Sequence, residues 1–490
     1  MLLKSWVYLL KNILNSIKFN NKSELVKYYN SFKDLSLTDL YSIVSEKFGI
    51  KISTNKGVVG QVLEGLIGNK PNSNPNVDVS NLGVELKVLP LRKVYNRLQP
   101  KERSKIKSLN YNEILKEEWV LSAVRKKISS ILFLLYEQPI GFSYKDWNNK
   151  DFQFKGCLFY ELENQDEDIV HEDWRNIQLK VKKHHAHLIS ESDSLILGAC
   201  TSGTGKEQVY GNGSLAKQRS YSLKHSYLKQ FYLNSQGVKY STLTTAKSIK
   251  PEDYIINKLK SSLKGIDLKT LSDEYNVQFS SSAKSSISLL IKRIFKVDDD
   301  SRIKEIDLLN IEIKTVPVND GLKPWESMSF PKFSLHEILD ENWENNNDEN
   351  EFDNESTFRS YVDRPFIFIP VIKNKFKKGS KYKFENWQNW RVGRPVYWRP
   401  SKEQLEAIKI EWEMAKKIIN SGVKVSNVKY GRGYRQENNL LKASNTNYIH
   451  IRPHARDAND LDKPFKEKTG IEICWQSFWF NKIFINKIIK

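Results

Sequence analysis

Cysteine is scarce in this chain, with only Cys157, Cys200 and Cys474 among 490 residues. The three lie far apart and form no C-x-x-C spacing, so neither a disulfide framework nor a zinc site is indicated. This usage fits a reducing cytosol, and we expect a cytoplasmic location. A long hydrophobic run is also lacking, because Lys11 interrupts the apolar residues 6–10. That stretch is too short for a membrane span, and no small-residue cleavage site follows it.

Acidic residues are in the minority, since 58 Asp and Glu stand against 78 Lys and Arg, which gives a net charge of +20. Such a charge indicates a polyanionic partner, with nucleic acid first and an anionic membrane surface second. Hydrophobic residues make up 39% of the chain, as in globular proteins, and the length suits two or more domains. Residues 1–34 are predicted to form a basic amphipathic helical segment, for which a membrane-surface helix is the second interpretation.

Two carboxylates and an amine occur close together in Asp78-Val-Ser-Asn-Leu-Gly-Val-Glu85-Leu-Lys87. On a strand, Glu85 and Lys87 project from the same face, while the residues between and after them point into a core. The turn residues before the strand let Asp78 fold back beside Glu85. This set suits a hard divalent cation next to an attacking water, which is chemistry that hydrolyses phosphodiesters. In a lysine-rich chain, the same pattern also arises by chance at a solvated strand edge.

The second half of the chain repeats this stretch, which predicts a duplicated domain. Leu308-Leu-Asn-Ile-Glu312-Ile-Lys314-Thr-Val-Pro matches Asn81-Leu-Gly-Val-Glu85-Leu-Lys87-Val-Leu-Pro. We therefore predict an α/β protein of two tandem domains, each with a mixed central sheet flanked by helices. The predicted divisions are the N-terminal segment 1–34, a first domain 35–233, a polar linker 234–259 and a second domain 260–490.

The two copies differ at the positions that would hold a cation. Glu64 lies in a predicted helix with largely apolar faces, so its carboxylate is expected to be paired or bound to metal. In the second copy Lys292 occupies the matching helix position, and Glu305 stands where the first copy has Asp78. An ammonium group repels a cation and lowers the charge of the site. The sequence therefore predicts one working site, in the first copy, and a second copy kept for binding.

These motifs together resemble MutH, the GATC-directed nicking endonuclease of mismatch repair. The resemblance rests on Lys56-Gly-x-x-Gly-Gln-x-Leu-Glu64, Asp78-x6-Glu85-Leu-Lys87 and Trp119-x-x-Ser-x-Val-Arg125-x-Lys127. The second half carries its own pieces in Val392-Gly-Arg-Pro-Val-Tyr-Trp398 and Ile451-Arg452-Pro-His454. A tandem of two such domains is similar to the GATC-cutting type II restriction endonucleases built as a pseudo-dimer. The implied fold is therefore two restriction-endonuclease-like domains of the PD-(D/E)xK, MutH-like kind.

The resemblance also implies roles for individual residues. Asp78 and Glu85 would bind Mg²⁺, with Glu64 adding a carboxylate to the same site. Lys87 would orient and help deprotonate the attacking water, or stabilise the pentavalent phosphate. The remaining family positions would contact DNA: Lys56, Arg125, Lys127, Cys200, Thr201, Arg219 and Lys224 in the first copy, and Arg452 and His454 in the second.

The function implied is a type II restriction endonuclease that hydrolyses double-stranded DNA at GATC sites, with an allosteric DNA-binding second copy. One active centre cuts one strand, so we expect a transient homodimer on DNA. A cognate DNA methyltransferase is expected as a genetic partner only. The alternatives are a MutH-type mismatch-repair nicking endonuclease and a non-catalytic DNA-binding regulator.

Overall fold

The computed structural model describes most of the chain, and Lys56 lies outside the described part. The described residues are 17–49, 57–69, 77–94, 97–139, 142, 146–190, 193–202, 206–243, 250–263, 265–279, 284–344, 356–378, 381–430, 433–454, 465–466 and 472–490. The chain divides into two compact units. The first unit comprises Met1–Leu233 with Glu344–Asn354, and the second comprises Asn234–Trp343 with Glu355–Lys490.

The first unit is built on two sheets. Its strands are β1 Glu85–Val94, β2 Arg97–Pro100, β3 Ser104–Leu109, β4 Ser130–Glu137, β5 Gln153–Glu161, β6 Leu197–Thr201, β7 Glu207–Tyr210, β8 Ser214–Lys217 and β9 Arg219–Leu223. The first sheet has the order β2-β1-β4-β5, in which β1 and β4 are parallel and the outer pairs are antiparallel. The second sheet is antiparallel with the order β3-β9-β6, and β7 and β8 form a separate hairpin.

Helices cover these sheets. They are α1 Lys22–Asn30, α2 Leu37–Phe48, α3 Val58–Gly65, α4 Tyr111–Ile114, α5 Ala123–Ile128, α6 Asn164–Lys182 and, across the unit boundary, α7 His225–Ser235. Sequence chemistry sets the ends of α2, because the side chain of Ser36 accepts from the Asp39 N–H at its start and Gly49 adopts a left-handed φ of 63° at its end.

The N-terminal segment belongs to the first unit in its described part. Phe19, Leu25 and Tyr29 are buried in the same core as helix α3 and strand β1. The tyrosine hydroxyl of Tyr29 donates to the carbonyl of Leu63 at 3.1 Å. Residues 17–34 therefore pack as part of the first domain, whereas the sequence predicted a separate segment through residue 34.

The second unit repeats this two-sheet plan. Its strands are β10 Tyr240–Ser241, β11 Arg302–Ile303, β12 Glu312–Val318, β13 Met328–Phe333, β14 Phe366–Ile372, β15 Lys375–Lys378, β16 Lys381–Phe384, β17 Arg391–Val392, β18 Val396–Trp398, β19 Val425–Tyr430, β20 Gly433–Asn438, β21 Ile449–Pro453, β22 Phe465–Lys466, β23 Glu472–Ile473 and β24 Gln476–Phe480. The strands β12 and β14 are parallel, and β17 and β18 pair antiparallel with β14. The antiparallel second sheet has the order β13-β24-β21.

The helices of the second unit complete the match. They are α8 Pro251–Leu263, α9 Leu268–Tyr275, α10 Lys284–Ile294, α11 Lys304–Leu308, α12 Glu337–Asp340, α13 Thr357–Val362, α14 Lys402–Asn420 and α15 Lys482–Ile489. The first of these, α8, begins within the predicted linker 234–259, and its residues Ile255 and Leu259 are buried in the core of the unit. Residues 251–259 of that predicted linker are therefore part of a packed helix.

A buried carboxylate occupies the same place in both units. Helices α6 and α14 are each 19 residues long, and Asp173 and Glu411 lie midway along them. The carboxylate of Asp173 accepts from the backbone N–H groups of 195–197, the last of which starts β6, at 2.7 to 2.9 Å. The carboxylate of Glu411 accepts in the same way from the N–H groups of 447–449, the last of which starts β21. Burial raises the pKa of Asp173 to about 6. In both units, therefore, a buried carboxylate on a long helix accepts from three consecutive backbone N–H groups. We call this arrangement a buried clamp.

Strand β6 is rich in small residues. It covers Leu197–Thr201 and pairs with β9 along its whole length, and small residues suit a strand packed closely against its neighbour. In the described part of the chain, no helix is both long and apolar enough to cross a membrane.

Candidate active site

The first residue of β1, Glu85, is the centre of the candidate site. Its neighbours Leu86 and Val88 are buried in the core, as the alternation predicts. Glu85 itself is only 1% exposed, so its charge requires close partners. Both oxygens of Glu85 lie near the Lys127 ammonium, at 2.8 and 2.9 Å, and the Lys87 ammonium is 3.0 Å from one of them.

The fold explains why Lys127 reaches this carboxylate. Helix α5 begins at Ser122, whose hydroxyl accepts from the Arg125 N–H at 3.2 Å. The helix leads directly into β4, which runs parallel to β1 with Ile131 opposite Glu85. The last turn of α5 therefore places Lys127 beside the start of β1. The sequence predicted a cation here, but assigned it to DNA phosphate and not to Glu85.

Asp78 is held against the same strand by a tight turn. Val79 pairs with Val84, and Gly83 in this turn adopts a positive φ of 65°, which glycine tolerates best. The chain thereby folds back, and one carboxylate oxygen of Asp78 accepts from the Leu86 N–H at 2.8 Å. Burial and the neighbouring charge of Glu85 raise the pKa of Asp78, while this backbone bond and two lysines oppose the rise. The sequence correctly predicted that Asp78 and Glu85 come together.

Glu64 lies nearby on α3 but is not brought into one ligand group with the other two. It is half-buried. Burial raises the pKa of the Tyr29 phenol well above its ordinary value, and the nearby charges of Glu64 and Asp78 add smaller contributions. Among the described residues, no group of three His, Cys, Asp or Glu side chains lies close enough to hold a metal. The arrangement thus offers the pair Asp78 and Glu85, with Glu64 behind it.

This pair fits a hard divalent cation. Mg²⁺ takes oxygen ligands and is commonly bound through one or two carboxylates, with water completing its coordination. Burial and the adjacent Glu85 carboxylate raise the pKa of Asp78, and a bound cation would lower that pKa again. Lys87 and Lys127 already neutralise Glu85. The donor set therefore suits Mg²⁺, although the Lys127 ammonium would compete with the cation for Glu85.

The predicted DNA contacts of the first unit fall into two groups. At its surface, Arg125 is half-buried and pairs with Glu167 at 2.7 Å. Thr201 ends β6 opposite Arg219, whose guanidinium donates to the carbonyl of Ala199 at 2.9 Å. Thr201 and Arg219 are both half-buried at one end of the second sheet.

Two other predicted DNA contacts lie in the interior. Cys200 is buried, and its thiol donates to the Ser220 carbonyl at 3.5 Å. Lys224 is only 8% exposed, and its ammonium donates to the Ser194 carbonyl at 2.7 Å. Lys224 also acts electrostatically on Asp173. We therefore correct the expectation for these two residues: they fix the base of β6 in this arrangement and do not face a ligand.

The second unit uses its equivalent residues differently. Glu312 is paired with Lys314 at 2.7 Å and with Arg364 at 3.0 Å. The carboxylate of Glu305 accepts from the Leu243 N–H at 3.0 Å, which fixes the start of the unit. Lys292 donates to the Asp299 carbonyl at 2.6 Å. Glu312 is thus paired with two cations, as Glu85 is in the first unit, whereas Glu305 and Lys292 are bonded to backbone groups of their own unit.

The predicted DNA-binding pair of the second unit is at its surface. Arg452 is exposed, and its guanidinium lies 5.2 Å from the centre of the Trp479 ring. His454 is also exposed, and its Nδ1 is 2.5 Å from the Ser477 hydroxyl. Arg452 lies near the end of β21 and His454 directly follows that strand. Their side chains and the Trp479 ring form one small polar and aromatic surface.

Sequence reasoning missed several residues that shape these sites. Tyr29 donates to the Leu63 carbonyl on α3, and the helical spacing of Leu25 and Tyr29 could have shown that α1 packs into the core. Arg364 pairs with Glu312. Its position shortly before an apolar strand, which matches the position of Lys127 in the first copy, could have identified it. Asp173 and Glu411 carried no usable signal, because a single acid in a polar helix resembles a solvated one.

The two sheets, the parallel strand pair and the acidic and basic residues at its start define a MutH-like restriction-endonuclease fold. The family model described as "DNA mismatch repair enzyme MutH" matches residues 67–173, which include Asp78, Glu85, Lys87 and Lys127. The resemblance and fold class predicted from the sequence are confirmed.

Two kinds of relative are similar to the chain. The type II restriction enzyme Sau3AI of Staphylococcus aureus is 25% identical over 92% of this chain and 95% of its own length. The DNA mismatch repair protein MutH of Vibrio parahaemolyticus is 26% identical over 32% of this chain and 66% of its own length. MutH of Vibrio vulnificus is 29% identical over 24% of this chain and half of its own length. Of these three relatives, the restriction enzyme is the one whose match spans both units.

Proposed function

We propose that this chain is a type II restriction endonuclease that hydrolyses both strands of duplex DNA at GATC sites. The observation that carries the proposal is the cluster of Asp78, Glu85 and Lys87 at the start of β1. The similarity to a restriction enzyme over 92% of the chain supports the two-unit form of the activity. The large positive charge agrees with a DNA substrate.

Asp78 and Glu85 would hold Mg²⁺, with Glu64 as a further carboxylate close behind. When bound, Mg²⁺ supplies charge stabilisation at phosphate and a lowered pKa for bound water. Lys87 then serves as the group that orients the attacking water and stabilises negative charge on the phosphate. Lys127 keeps Glu85 neutralised until the cation arrives, because its ammonium lies 2.8 Å from that carboxylate.

This role for Lys127 predicts a change in metal affinity. In Lys127→Met, the ammonium no longer competes for the oxygens of Glu85. We expect Mn²⁺ to bind the DNA-free protein about 2- to 10-fold more tightly, since an ion pair of this kind contributes on the order of 1 kcal/mol. Titration calorimetry measures the effect, and Lys126→Met on the exposed side of the same helix is the matched control. Equal affinities in the two variants would contradict the competition.

We assign catalysis to the first unit and DNA binding to the second. The second copy differs at two of the matching positions, because Lys292 stands in place of Glu64 and the carboxylate of Glu305 accepts from the Leu243 N–H. Arg452 and His454 are exposed there, and they would bind a second GATC as an effector. A single active centre cuts one strand, so two first units would meet on the palindrome as a transient homodimer.

The effector role predicts a dependence on site number. A plasmid with one GATC should be cut slowly, and an added GATC oligonucleotide should accelerate cleavage about 5- to 100-fold, the usual range of coupling between two sites. A duplex of the same composition with the four bases scrambled should have no effect. Initial rates on agarose gels measure the difference, and equal rates with both oligonucleotides would exclude the effector role.

Incubation with Mg²⁺ and plasmid DNA, followed by sequencing of the product ends, tests the function itself. Linear product with ends at GATC supports a restriction endonuclease. Nicked circles alone would support a mismatch-repair type of nicking enzyme, whose relatives match only part of this chain. Binding without any product would support a non-catalytic regulator.

A further inference from the structure

A basic ribbon extends from the second unit and takes no part in the sites described above. Strands β15 and β16 pair only with each other, directly after β14. Residues 373–384 contain six lysines and no acid. Because Glu312 lies opposite the first residue of β14, the ribbon begins at the other end of that strand, roughly 20 Å away at 3.3 Å per residue.

Two tryptophans hold the root of this ribbon. The indole N–H of Trp325 donates to the carbonyl of Lys373 at 2.8 Å, just before β15. The indole N–H of Trp390 donates to the carbonyl of Glu385 at 3.0 Å, just after β16. The Lys373 ammonium lies 3.7 Å from the centre of the Trp390 ring. Both strands are thus fixed where they leave the unit, so the ribbon is a built element of the fold.

Cations and aromatic rings share both faces of the ribbon. Lys375 is opposite Phe384, and Phe376 is opposite Lys383, so these two of the four cross-strand pairs each combine a lysine with a phenylalanine. The Lys375 ammonium lies 4.6 Å from the Phe384 ring centre. Phe376 is 45% exposed. A membrane-surface element would separate apolar and charged faces, and this ribbon does not.

The cations of the ribbon are available to a polyanion. In the part of the chain that the structure describes, Lys375, Lys377 and Lys383 are exposed and form no ion pair. The nearby acid Asp320 is engaged by Arg391 and by Asn374, each at 2.6 Å. Asp320 is therefore engaged by other described residues and forms no ion pair with these lysines.

We propose that this ribbon, β15 with β16, binds duplex DNA outside the recognition site. Its lysines would contact phosphates, and a two-stranded ribbon is narrow enough to enter the major groove, where Phe376 would meet sugars and base edges. The inference rests on the proposed function, because it extends the DNA contact of the same chain. It adds affinity without sequence preference, so long duplexes should bind more tightly than short ones.

The test uses the full chain with Glu85→Ala, which is expected to bind GATC DNA without cutting it. Into this parent we introduce Lys375→Ala, Lys377→Ala and Lys383→Ala together. The ribbon variant should lose about 3 from the slope of log affinity against log salt concentration on a duplex of about 40 base pairs. At low salt, it should bind that duplex at least about tenfold more weakly than the parent.

A matched variant removes the same charge elsewhere in the second unit. Lys402, Lys409 and Lys417 lie on α14, whose exposed side also carries acids such as Glu403 and Glu413. Their triple change to alanine should leave the slope nearly unchanged. Fluorescence anisotropy with the long duplex, and with a short one covering only GATC, measures both effects.

The outcomes separate the two proposals. If the parent binds neither duplex, the proposed function fails. If the parent binds but the ribbon variant and the α14 variant have equal slopes on the long duplex, the ribbon is a solvated hairpin and the inference is overturned. An equal loss on the short and long duplexes would also overturn it, because the contact would then lie within the recognition site.

Discussion

Glu85→Gln should abolish DNA cleavage while leaving DNA binding in place, and Glu312→Gln should leave cleavage largely intact. Glu85 is almost fully buried and lies beside Asp78 and two lysines. An amide at this position lacks the negative charge that would hold the cation. Loss of several kcal/mol of charge stabilisation lowers the rate by about 10³-fold or more. The side chain keeps its size, so the fold should tolerate the change.

Glu312→Gln is the matched control because it alters the repeated position in the second unit. Glu312 pairs with both Lys314 and Arg364 in a half-buried setting. The loss of such pairs costs little stability, so this variant should still fold and cleave DNA. Single-turnover cleavage of a labelled GATC duplex gives the rates, and anisotropy gives binding. Two equally inactive variants would show that both copies are catalytic, contrary to our assignment.

The local core of this site was predictable from sequence because it depends on short-range rules. The alternation around Leu86 and the turn chemistry before Glu85 predicted that Asp78 and Glu85 would meet, and they do. The repeat gave an internal comparison, in which Lys292 marked the second copy as different. The ammonium of Lys292 donates to the Asp299 carbonyl, a contact that the sequence comparison did not reveal.

Long-range contacts were beyond sequence reasoning. Lys127 reaches Glu85 only because β4 runs parallel to β1 in a particular register, and a pattern along one strand cannot reveal its partner. Lys224 illustrates the opposite error: a lysine in a basic segment is usually solvated, yet this one is buried beside the Ser194 carbonyl. Burial depends on which strands pack together, which is a property of the whole fold.

The buried clamps predict the largest effects on stability. Asp173→Ala leaves the N–H groups of residues 195–197 without their acceptor. An unsatisfied buried donor costs about 1–3 kcal/mol, so the free energy of unfolding of the first unit should fall by roughly 3–6 kcal/mol. That corresponds to about 10 °C in the melting temperature of a domain this size. Scanning calorimetry measures it.

Glu411→Ala is the counterpart in the second unit, because its carboxylate accepts from the N–H groups of 447–449. If the two clamps are equivalent, hydrogen exchange should accelerate at residues 195–197 in the first variant and at 447–449 in the second, each leaving the other segment unchanged. Exchange unaltered in both segments would contradict the assigned role.

Since β6 leads to Thr201 and β21 leads to Arg452, each clamp also positions a predicted DNA contact. The Asp173 variant should therefore lose sequence discrimination before it loses its weaker, sequence-independent affinity for DNA, which depends on surface charge.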